Sequence, residues 1–174
     1  MVCIANEIKS YVAVNERKLM DIYYEDNYVE AQRSYPDMEK EESIPLVEQD
    51  YLLYLRNDFF LRGNTSIWVL VDEEDNWVSA LRLHNVDNKT YYMEALETHP
   101  YFRRRGYATK LVRSVIKELG RKGEFRLFSN VGKTNIASME THKKCGFIVD
   151  SEKGYDYSNQ SYEEGSYSLK YIRK

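Results

Sequence analysis

The spacing of hydrophobic residues changes several times along the chain, and each change marks a new element. An apolar stretch at residues 8–14 predicts a short strand. Asn15 is a good helix N-cap, and Leu19, Ile22 and Tyr23 then recur at helical spacing. The chain is therefore predicted to begin with a strand and a first helix.

A second helix is predicted before residue 64. Pro36 and the acidic stretch 38–45 interrupt the pattern of the first helix. The second helix ends at Gly63, a residue that readily adopts the left-handed conformation found at helix C-termini. Its apolar positions are Tyr51, Leu52, Leu55 and Phe59.

Alternating apolar and polar residues replace the helical pattern after residue 65. Residues 67–71 and 77–83 alternate with a period of two and flank a polar turn at residues 73–76. A second polar turn leads into a third alternating run at residues 91–96. This pattern predicts a three-stranded antiparallel meander that ends at Pro100.

The most regular helical pattern follows the meander, and Gly120 is placed to end it. Its apolar positions are Ala108, Leu111, Val112, Val115 and Leu119. Residues 125–128, 147–149 and 167–171 then predict strands, and residues 135–144 predict a helix between the first two of these strands. This order of elements is typical of a mixed α/β fold.

The composition indicates a single globular domain over residues 1–174. Of the 174 residues, 43% are hydrophobic and 30% are charged, as in ordinary soluble proteins. No apolar run approaches the roughly 18 residues that cross a bilayer, and the N-terminus lacks the pattern of a signal peptide. We therefore expect a cytoplasmic protein without a membrane partner, acting as a monomer or a homodimer.

Cysteines and net charge exclude further classes of site. Cys3 and Cys145 lie far apart and match no metal-binding spacing, which predicts reduced thiols and no bound metal. The formal net charge of -3 argues against a nucleic-acid partner. The basic run at residues 103–105 is a local exception, suited to a small phosphate-bearing ligand.

The basic run precedes the most regular helix, and this arrangement suits a bound phosphate. A helix N-terminus offers unpaired N–H groups and a partial positive charge. Gly106 allows close approach of the backbone to a ligand, and Ala108 is small enough for tight packing. Neither the GxxxxGK[ST] loop nor the GxGxxG fingerprint is present. An ordinary basic turn at the start of a surface helix is the alternative interpretation.

Residues 96–108 resemble the central motif of the GNAT superfamily of CoA-dependent N-acetyltransferases. In that motif a Gln or Arg is followed after two residues by Gly and, one residue further, by Gly or Ala; here these are Arg103, Gly106 and Ala108. A second block is also similar to the family, in Asn135, Ser138, Lys144, Gly146 and Phe147. The resemblance implies a central mixed, mostly antiparallel sheet flanked by helices, with acetyl-CoA as the cosubstrate.

The resemblance also implies which residues bind acetyl-CoA. Backbone amides of the basic loop would hold the pyrophosphate, and the edge of the preceding strand would bind the pantetheine arm like an added strand. The helix that starts after Asn135 would contact the cofactor from the other side. The expected cofactor-binding residues are Leu96, Glu97, Thr98, Arg103, Arg104, Arg105, Gly106, Tyr107, Ala108, Thr109, Asn135 and Ser138.

In this family a neutral amine attacks the thioester directly, so a group that removes a proton is needed. Glu94 is the predicted base, and strand alternation would place it on one face with Tyr92 and Leu96. Glu97, on the opposite face, is the alternative base. A strand glutamate that only pairs with a surface lysine would explain Glu94 equally well.

One position departs from the family. Seven residues after the Asn, where the family commonly has a tyrosine that protonates the leaving thiolate, this chain has His142. An imidazole, with an ordinary pKa of about 6.5, donates a proton more readily than a phenol. His142 is therefore the predicted acid, and a residue that only packs against the cofactor or faces solvent is the alternative.

The acceptor amine is predicted from charge. Residues 37–50 and 150–164 are acidic, and by the resemblance they flank the acceptor cleft. A cationic small molecule such as a polyamine, an amino sugar or a lysine-like amine is the expected acceptor. A solvated acidic surface, a peptide amine as acceptor, a non-catalytic acetyl-CoA sensor and an RNA-associated protein are the alternatives.

Overall fold

The computed structural model describes residues 2–174 and contains a seven-stranded sheet, a two-stranded hairpin and five α-helices. The strands are β1 (Ile4–Ile8), β2 (Thr65–Val71), β3 (Trp77–Asp87), β4 (Thr90–Thr98), β5 (Phe125–Gly132), β6 (Ile148–Ser151), β7 (Gly154–Asp156), β8 (Ser161–Glu163) and β9 (Ser166–Arg173). The helices are α1 (Glu16–Ile22), α2 (Tyr24–Ser34), α3 (Lys40–Tyr54), α4 (Tyr107–Gly120) and α5 (Ile136–Lys144).

The large sheet has the order β1-β2-β3-β4-β5-β9-β6. All neighbouring strands pair antiparallel except β4 and β5, which are parallel because α4 connects them across the sheet. The predicted mixed α/β fold with a mostly antiparallel sheet is confirmed, as are the meander and the final antiparallel strand.

Hydrophobic side chains cover both faces of the sheet, because residues alternate along each strand. On one face, Leu81 and Leu127 pack under α4, whose Leu111, Val112 and Val115 are fully buried. Burying each of these helix residues contributes roughly 1.5–3 kcal/mol. The other face of the sheet lies under α1 and the segment after α3. The side chains of Ile67 and Val69 in β2 point to this face.

The N-terminal strand was predicted in the wrong place. Instead of residues 8–14, β1 ends at Ile8, which pairs with Ile67 at the beginning of β2. Residues 11–13 form a 3₁₀ turn, closed by a 2.9 Å hydrogen bond from the amide of Val14 to a carbonyl oxygen. The predicted N-cap is confirmed, since the side chain of Asn15 accepts a hydrogen bond from the first turn of α1.

The region before the meander contains three α-helices where two were predicted. The backbone of Tyr23 (φ -88°, ψ 11°) leaves the helical range and separates α1 from α2. The acidic stretch 38–45, predicted to interrupt the helices, contains the start of α3 at Lys40. Two glutamates in the first turn of α3 interact favourably with the positive end of the helix dipole. Pro45 does not prevent the helix, because it removes only one helical N–H group. After α3 a π-helical turn and a 3₁₀ turn follow, and Gly63 (φ 73°) ends the segment as predicted.

The acidic, tyrosine-rich segment after β6, in which no strand was predicted, contains the hairpin β7–β8. The hairpin is fastened to the end of β5 by Asn130, whose side-chain oxygen accepts a hydrogen bond from the amide of Tyr155 and whose NH₂ group donates to Glu163. Tyr157, in the turn between the two strands, stacks near Tyr92 and Phe128 of the main sheet.

Candidate active site

A groove opens in the middle of the sheet where β4 and β5 separate. The two strands pair only from Thr90, opposite Arg126, to Met93, opposite Ser129. Within residues 2–174, no later residue of β4 pairs with β5, although β5 continues to Gly132 and pairs with β9 along its other edge. One edge of residues 94–98 is therefore without a neighbouring strand, as an extended ligand requires for strand-like pairing.

A β-bulge at Ala95 decides which way the glutamates of this strand point. Ala95 has a φ of 51°, and the register changes from Arg82 opposite Glu94 to Ala80 opposite Glu97. Residues opposite each other share a face, so the three-residue step leaves Glu94 and Glu97 on the same face. The expectation that Glu97 points to the opposite face is wrong.

The bulge also separates Leu96 from Glu94, which strand alternation had placed on one face. Leu96 packs instead against the hydrophobic cluster that contains Leu81, beneath α4. The extra residue in β4 reverses the direction of every side chain after it, which a pattern of alternating residues does not reveal.

The groove beside the separated strands has a volume of about 470 Å³. It is lined by every predicted cofactor-binding residue except Arg105, whose guanidinium lies over the ring of Phe102 at 5.6 Å. Three further residues, all on α5, line the groove and had not been predicted to bind the cofactor: Ala137 and Thr141, which belong to no motif, and Lys144, which belongs to the second block.

The loop before α4 has the backbone geometry of an anion site. Gly106 is the N-cap residue of α4, with a φ of 79°, and a Cβ atom added there would meet nothing within 4 Å. Arg104 also has a positive φ, 62°. The first amides of α4 thus line open space in the groove, at the end of the helix that carries partial positive charge.

The opposite wall of the groove begins at Asn135, the N-cap residue of α5. Its side-chain oxygen accepts a 3.0 Å hydrogen bond from the amide of Ser138. Asn135 and Ser138 both line the groove, so the structure brings the two predicted blocks together on either side of one cavity. Next to the groove, a basic surface is formed by Lys110, Arg113, Lys117 and Lys144.

Glu94 is part of a buried ion-pair network. His84 Nε2 lies 2.7 Å from Glu94 Oε1, and Arg82 Nε lies 3.2 Å from the same oxygen. Burial disfavours the carboxylate, but the hydrogen bond with His84 and the charge of Arg82 outweigh it and lower the pKa of Glu94. Glu94 is therefore favoured in its ionised form, and its Oε1 atom contacts two basic side chains.

Glu97 lies in a different environment, at the edge of the groove. Burial, followed by the nearby charge of Asp26, raises the pKa of Glu97 to about 7, although the charge of Arg103 opposes the rise. A carboxyl group with such a pKa exchanges a proton near neutral pH, as a general base requires.

His142 is buried on α5, with only 2% of its surface exposed. Its Nδ1 lies 2.8 Å from the carbonyl oxygen of Ser138 and its Nε2 lies 3.1 Å from Ser129 Oγ. A carbonyl oxygen can only accept, so Nδ1 carries the proton and Nε2 accepts from the serine hydroxyl. Burial also lowers the pKa of His142. The residue does not line the groove, and the geometry does not support the predicted role as acid.

A second cavity, of about 400 Å³, lies between α2, α3 and the bulge of β4. Its lining includes three carboxyl groups, from Asp26, Glu30 and Asp50. Of the two acidic segments predicted to flank the acceptor, residues 37–50 contribute to this cavity and residues 150–164 do not. The carboxyl groups of α2 had been missed, because the sequence shows them as ordinary polar positions of a surface helix. Aromatic rings complete the walls, from Tyr23, Tyr35 and Tyr51.

Separated parallel strands, a bulge and a helix N-terminus at the mouth of the groove define a CoA-dependent acyltransferase. A model of the acetyltransferase (GNAT) family matches residues 18–147. The chain belongs to this family, and acetyl-CoA is its cosubstrate.

Solved structures share the fold at low sequence identity. An acetyltransferase from Streptococcus agalactiae is 17% identical, with a TM-score of 0.66 over 98% of both chains. The PaiA N-acetyltransferase of Thermoplasma acidophilum, in complex with coenzyme A, is 15% identical, with a TM-score of 0.66 over 99% of this chain and 100% of that one. The spermidine N-acetyltransferase of Vibrio cholerae, in complex with CoA and spermine, is 14% identical, with a TM-score of 0.64 over 98% of this chain and 95% of that one. No curated protein matches the chain in sequence.

Two other kinds of site are absent from residues 2–174. None of their helices has the length and apolar character needed to span a membrane. No group of three or more His, Cys, Asp or Glu side chains in this range is arranged to hold a metal ion.

Proposed function

We propose that the protein transfers the acetyl group of acetyl-CoA to a primary amine of a cationic small molecule. The observation that carries this proposal is the acidic cavity beside the bulge, because it adjoins the strand that forms the wall of the CoA groove: Ala95 lines the cavity, and Leu96 and Glu97 line the groove. An amine bound in the cavity would meet the acetyl group at the bulge.

The residues that line the groove fit CoA in three places. The first amides of α4 and the loop at Gly106 would hold the pyrophosphate. The unpaired edge at residues 94–98 would bind the pantetheine amides, and Asn135 and Ser138 would close the opposite side. The basic surface at Lys110 and its neighbours would attract the remaining phosphate of the nucleotide.

Bound acetyl-CoA supplies an acetyl group activated as a thioester. The nitrogen of the acceptor amine forms the new C–N bond to the acetyl carbon, the C–S bond breaks, and CoA leaves as a thiolate that takes a proton from water. Glu97 is the group we assign to remove the proton from the amine, either directly or through a water molecule, since its pKa of about 7 suits the task. Glu94, held by Arg82 and His84, supports the fold of the strand instead.

The acceptor is inferred from the charges of the cavity. Three carboxyl groups line it, and the single cation of its lining, Arg82, is already paired with Glu94. Aromatic rings beside carboxylates favour ammonium groups through cation–π attraction. A molecule with a second cationic group besides the reacting amine therefore fits best. The spermine bound in the Vibrio cholerae protein supports a polyamine as the first candidate.

A turnover screen tests the proposal. Polyamines, amino sugars, lysine-like amines, peptides with a free N-terminus and neutral amines would each be incubated with acetyl-CoA, and thiol release would be measured. We expect the dicationic amines to have the highest kcat/KM, with a decline as salt is added. Glu30→Gln and Asp50→Asn should raise KM for these amines about 3-fold or more, with a smaller effect on neutral amines.

The matched control for this screen is Glu124→Gln, a remote carboxylate that pairs with Lys89. It should leave the kinetics unchanged. A preference for neutral amines or peptides would overturn the assignment of the acceptor.

A non-catalytic acetyl-CoA sensor is the second candidate. The observation that favours it is the burial of His142 away from the groove lining, so that no proton donor faces the groove from the position where the family commonly has its tyrosine. Acetyl-CoA binding without turnover of any amine in the screen would select this candidate.

A further inference from the structure

Arg103 belongs to the phosphate-binding loop by sequence, but its side chain reaches towards the acceptor side. One terminal nitrogen contacts Glu25 of α2, and the other lies 3.5 Å from Glu97 Oε2. Its Nε donates a 3.2 Å hydrogen bond to the carbonyl oxygen of Thr98. The guanidinium is thus fixed by three partners, and two of them are carboxylates.

This arrangement places one cation against the assigned base. Among residues 2–174, Arg103 is the only cation within 4.0 Å of the Glu97 carboxylate. The groups around Glu97 on the neighbouring elements are otherwise acidic or phenolic: Glu25 and Asp26 on α2 and Tyr23 before it. Across the strand pair, the charge of Arg82 is matched by Glu94.

We propose that Arg103 is a positioning residue for Glu97: it orients the carboxylate, sets its proton affinity and links the cofactor loop to α2, instead of serving mainly as a ligand of the pyrophosphate. The proposal rests on the proposed function, in which Glu97 is the base. Glu25 has the opposite effect, because it shares the guanidinium with Glu97 and adds a negative charge nearby.

Removing the charge of Arg103 and removing the charge of Glu25 should shift the titration of Glu97 in opposite directions. Arg103 stabilises ionised Glu97, so its removal raises the proton affinity of the carboxylate. Glu25 competes for the guanidinium, so neutralising it lowers that affinity. The directions agree with the effects of both residues on the pKa of Glu97, where Arg103 lowers it and Glu25 raises it. A residue with a purely structural role would not produce shifts of opposite sign.

The experiment follows the acidic limb of kcat/KM against pH together with the dissociation constant of acetyl-CoA. We expect Arg103→Gln to move the limb to higher pH by about half a unit to one unit, since the pair is partly exposed. Glu25→Gln should move it to lower pH, and Arg103→Lys should retain most of the parent profile. Binding of acetyl-CoA should change less than about 3-fold in all three variants.

The control is Arg121→Gln, which breaks a remote pair with Glu118 on α4 and should move neither quantity. An unmoved limb together with acetyl-CoA binding weakened about 10-fold or more in Arg103→Gln would overturn the inference, because that result identifies a ligand of the cofactor.

A titration of Glu97 by carbon-13 NMR separates this inference from the proposed function, because it needs no turnover. We expect the same two opposite shifts in Arg103→Gln and Glu25→Gln; their absence overturns the inference whatever the enzyme does. Full activity of Glu97→Gln would instead overturn the assignment of the base.

Discussion

The hydroxyl of Tyr23 donates a 2.7 Å hydrogen bond to the carbonyl oxygen of Ala95, the bulged residue of β4. Tyr23 lies at the break between α1 and α2, so the bond connects the helical layer to the irregularity that directs Glu97. The break between the helices and the bulge in the strand therefore support the same site.

Replacing Tyr23 by Phe tests this connection. The substitution leaves a carbonyl group without its partner, so we expect a loss of about 1–3 kcal/mol in the free energy of unfolding. Turnover should fall about 10-fold, since small displacements of a reacting group are costly, while acetyl-CoA binding changes little. Urea denaturation and steady-state kinetics measure the two effects. Tyr11→Phe, which removes a hydrogen bond to exposed Glu16, is the control and should have neither.

Glu94→Gln should destabilise the protein by about 2–4 kcal/mol at neutral pH, because it leaves the charge of Arg82 buried without its partner. The lowered pKa of Glu94 means that its contribution is present above the unfolded-state pKa of about 4.3 and is lost as the pH falls through the folded-state value. The deficit of the variant, measured by urea denaturation, should therefore shrink in acid. A deficit that stays constant down to pH 2 would contradict the ion-pair assignment.

Glu97→Gln should behave in the opposite way. A carboxyl group with a raised pKa contributes stability that is complete below about pH 4.3 and is lost as the pH rises through its folded-state pKa of about 7. Between these two pH values the free energy of unfolding of the variant should rise relative to that of the parent, by on the order of 3 kcal/mol, and the difference should be constant above pH 8. Turnover should be lost in the same variant. Equal stability of parent and variant at every pH would exclude the raised pKa.

Gly106→Val should abolish most of the thermal stabilisation by acetyl-CoA, which for the parent at 100 times Kd is about 2.7 kcal/mol. The side chain would fill the space at the first amides of α4. Gly63→Val is a matched control, since Gly63 has a similar φ (73° against 79°) and equally open surroundings. Both variants carry the same kind of backbone strain, but only Gly106→Val should lose the thermal stabilisation by acetyl-CoA. A loss in both would indicate strain instead of a binding site.

His142→Phe should lower the free energy of unfolding by about 1–3 kcal/mol, because Ser129 loses its buried partner. The alkaline side of the pH–rate profile should not move, since both ring nitrogens are engaged by protein groups and the ring does not line the groove. A profile that shifts in the variant would restore the role as acid that the sequence predicts. Chemical denaturation and the pH dependence of kcat measure the two outcomes.

Much of the fold was predictable because its elements depend on local patterns. The apolar stripe of α4 and the alternation in the meander required no knowledge of the tertiary structure. The walls of the groove could also be predicted from local sequence, since a loop motif and an N-cap residue define them. A single domain over residues 1–174, a monomer or homodimer and a cytoplasmic location stay predictions.

The two failures at the site, the directions of the Glu97 and His142 side chains, have one physical cause: a tertiary contact that local patterns do not encode. Ala95 adopts a positive φ that favours glycine, and Tyr23, in another layer, holds the bulge with a hydrogen bond. The sequence of the strand alone therefore does not indicate that the side chain of Glu97 points to the same face as that of Glu94. His142 occupies a helix position that by spacing alone suits solvent or a ligand, yet its ring is buried against β5. In both cases the direction of a side chain was decided by a residue distant in sequence.

The separation of β4 from β5 also bears on aggregation. An unpaired strand edge normally invites pairing with another chain, and proteins protect such edges with charges, bulges or covering segments. Here the bare stretch at residues 94–98 lies inside the sheet, with β5 and its partner β9 on the far side of the gap. A strand of a second molecule would have to enter between two strands of the same sheet, whereas a thin, unbranched chain such as pantetheine can do so. The backbone groups of this stretch thus stay available to the substrate but are protected from pairing with a second molecule of the protein.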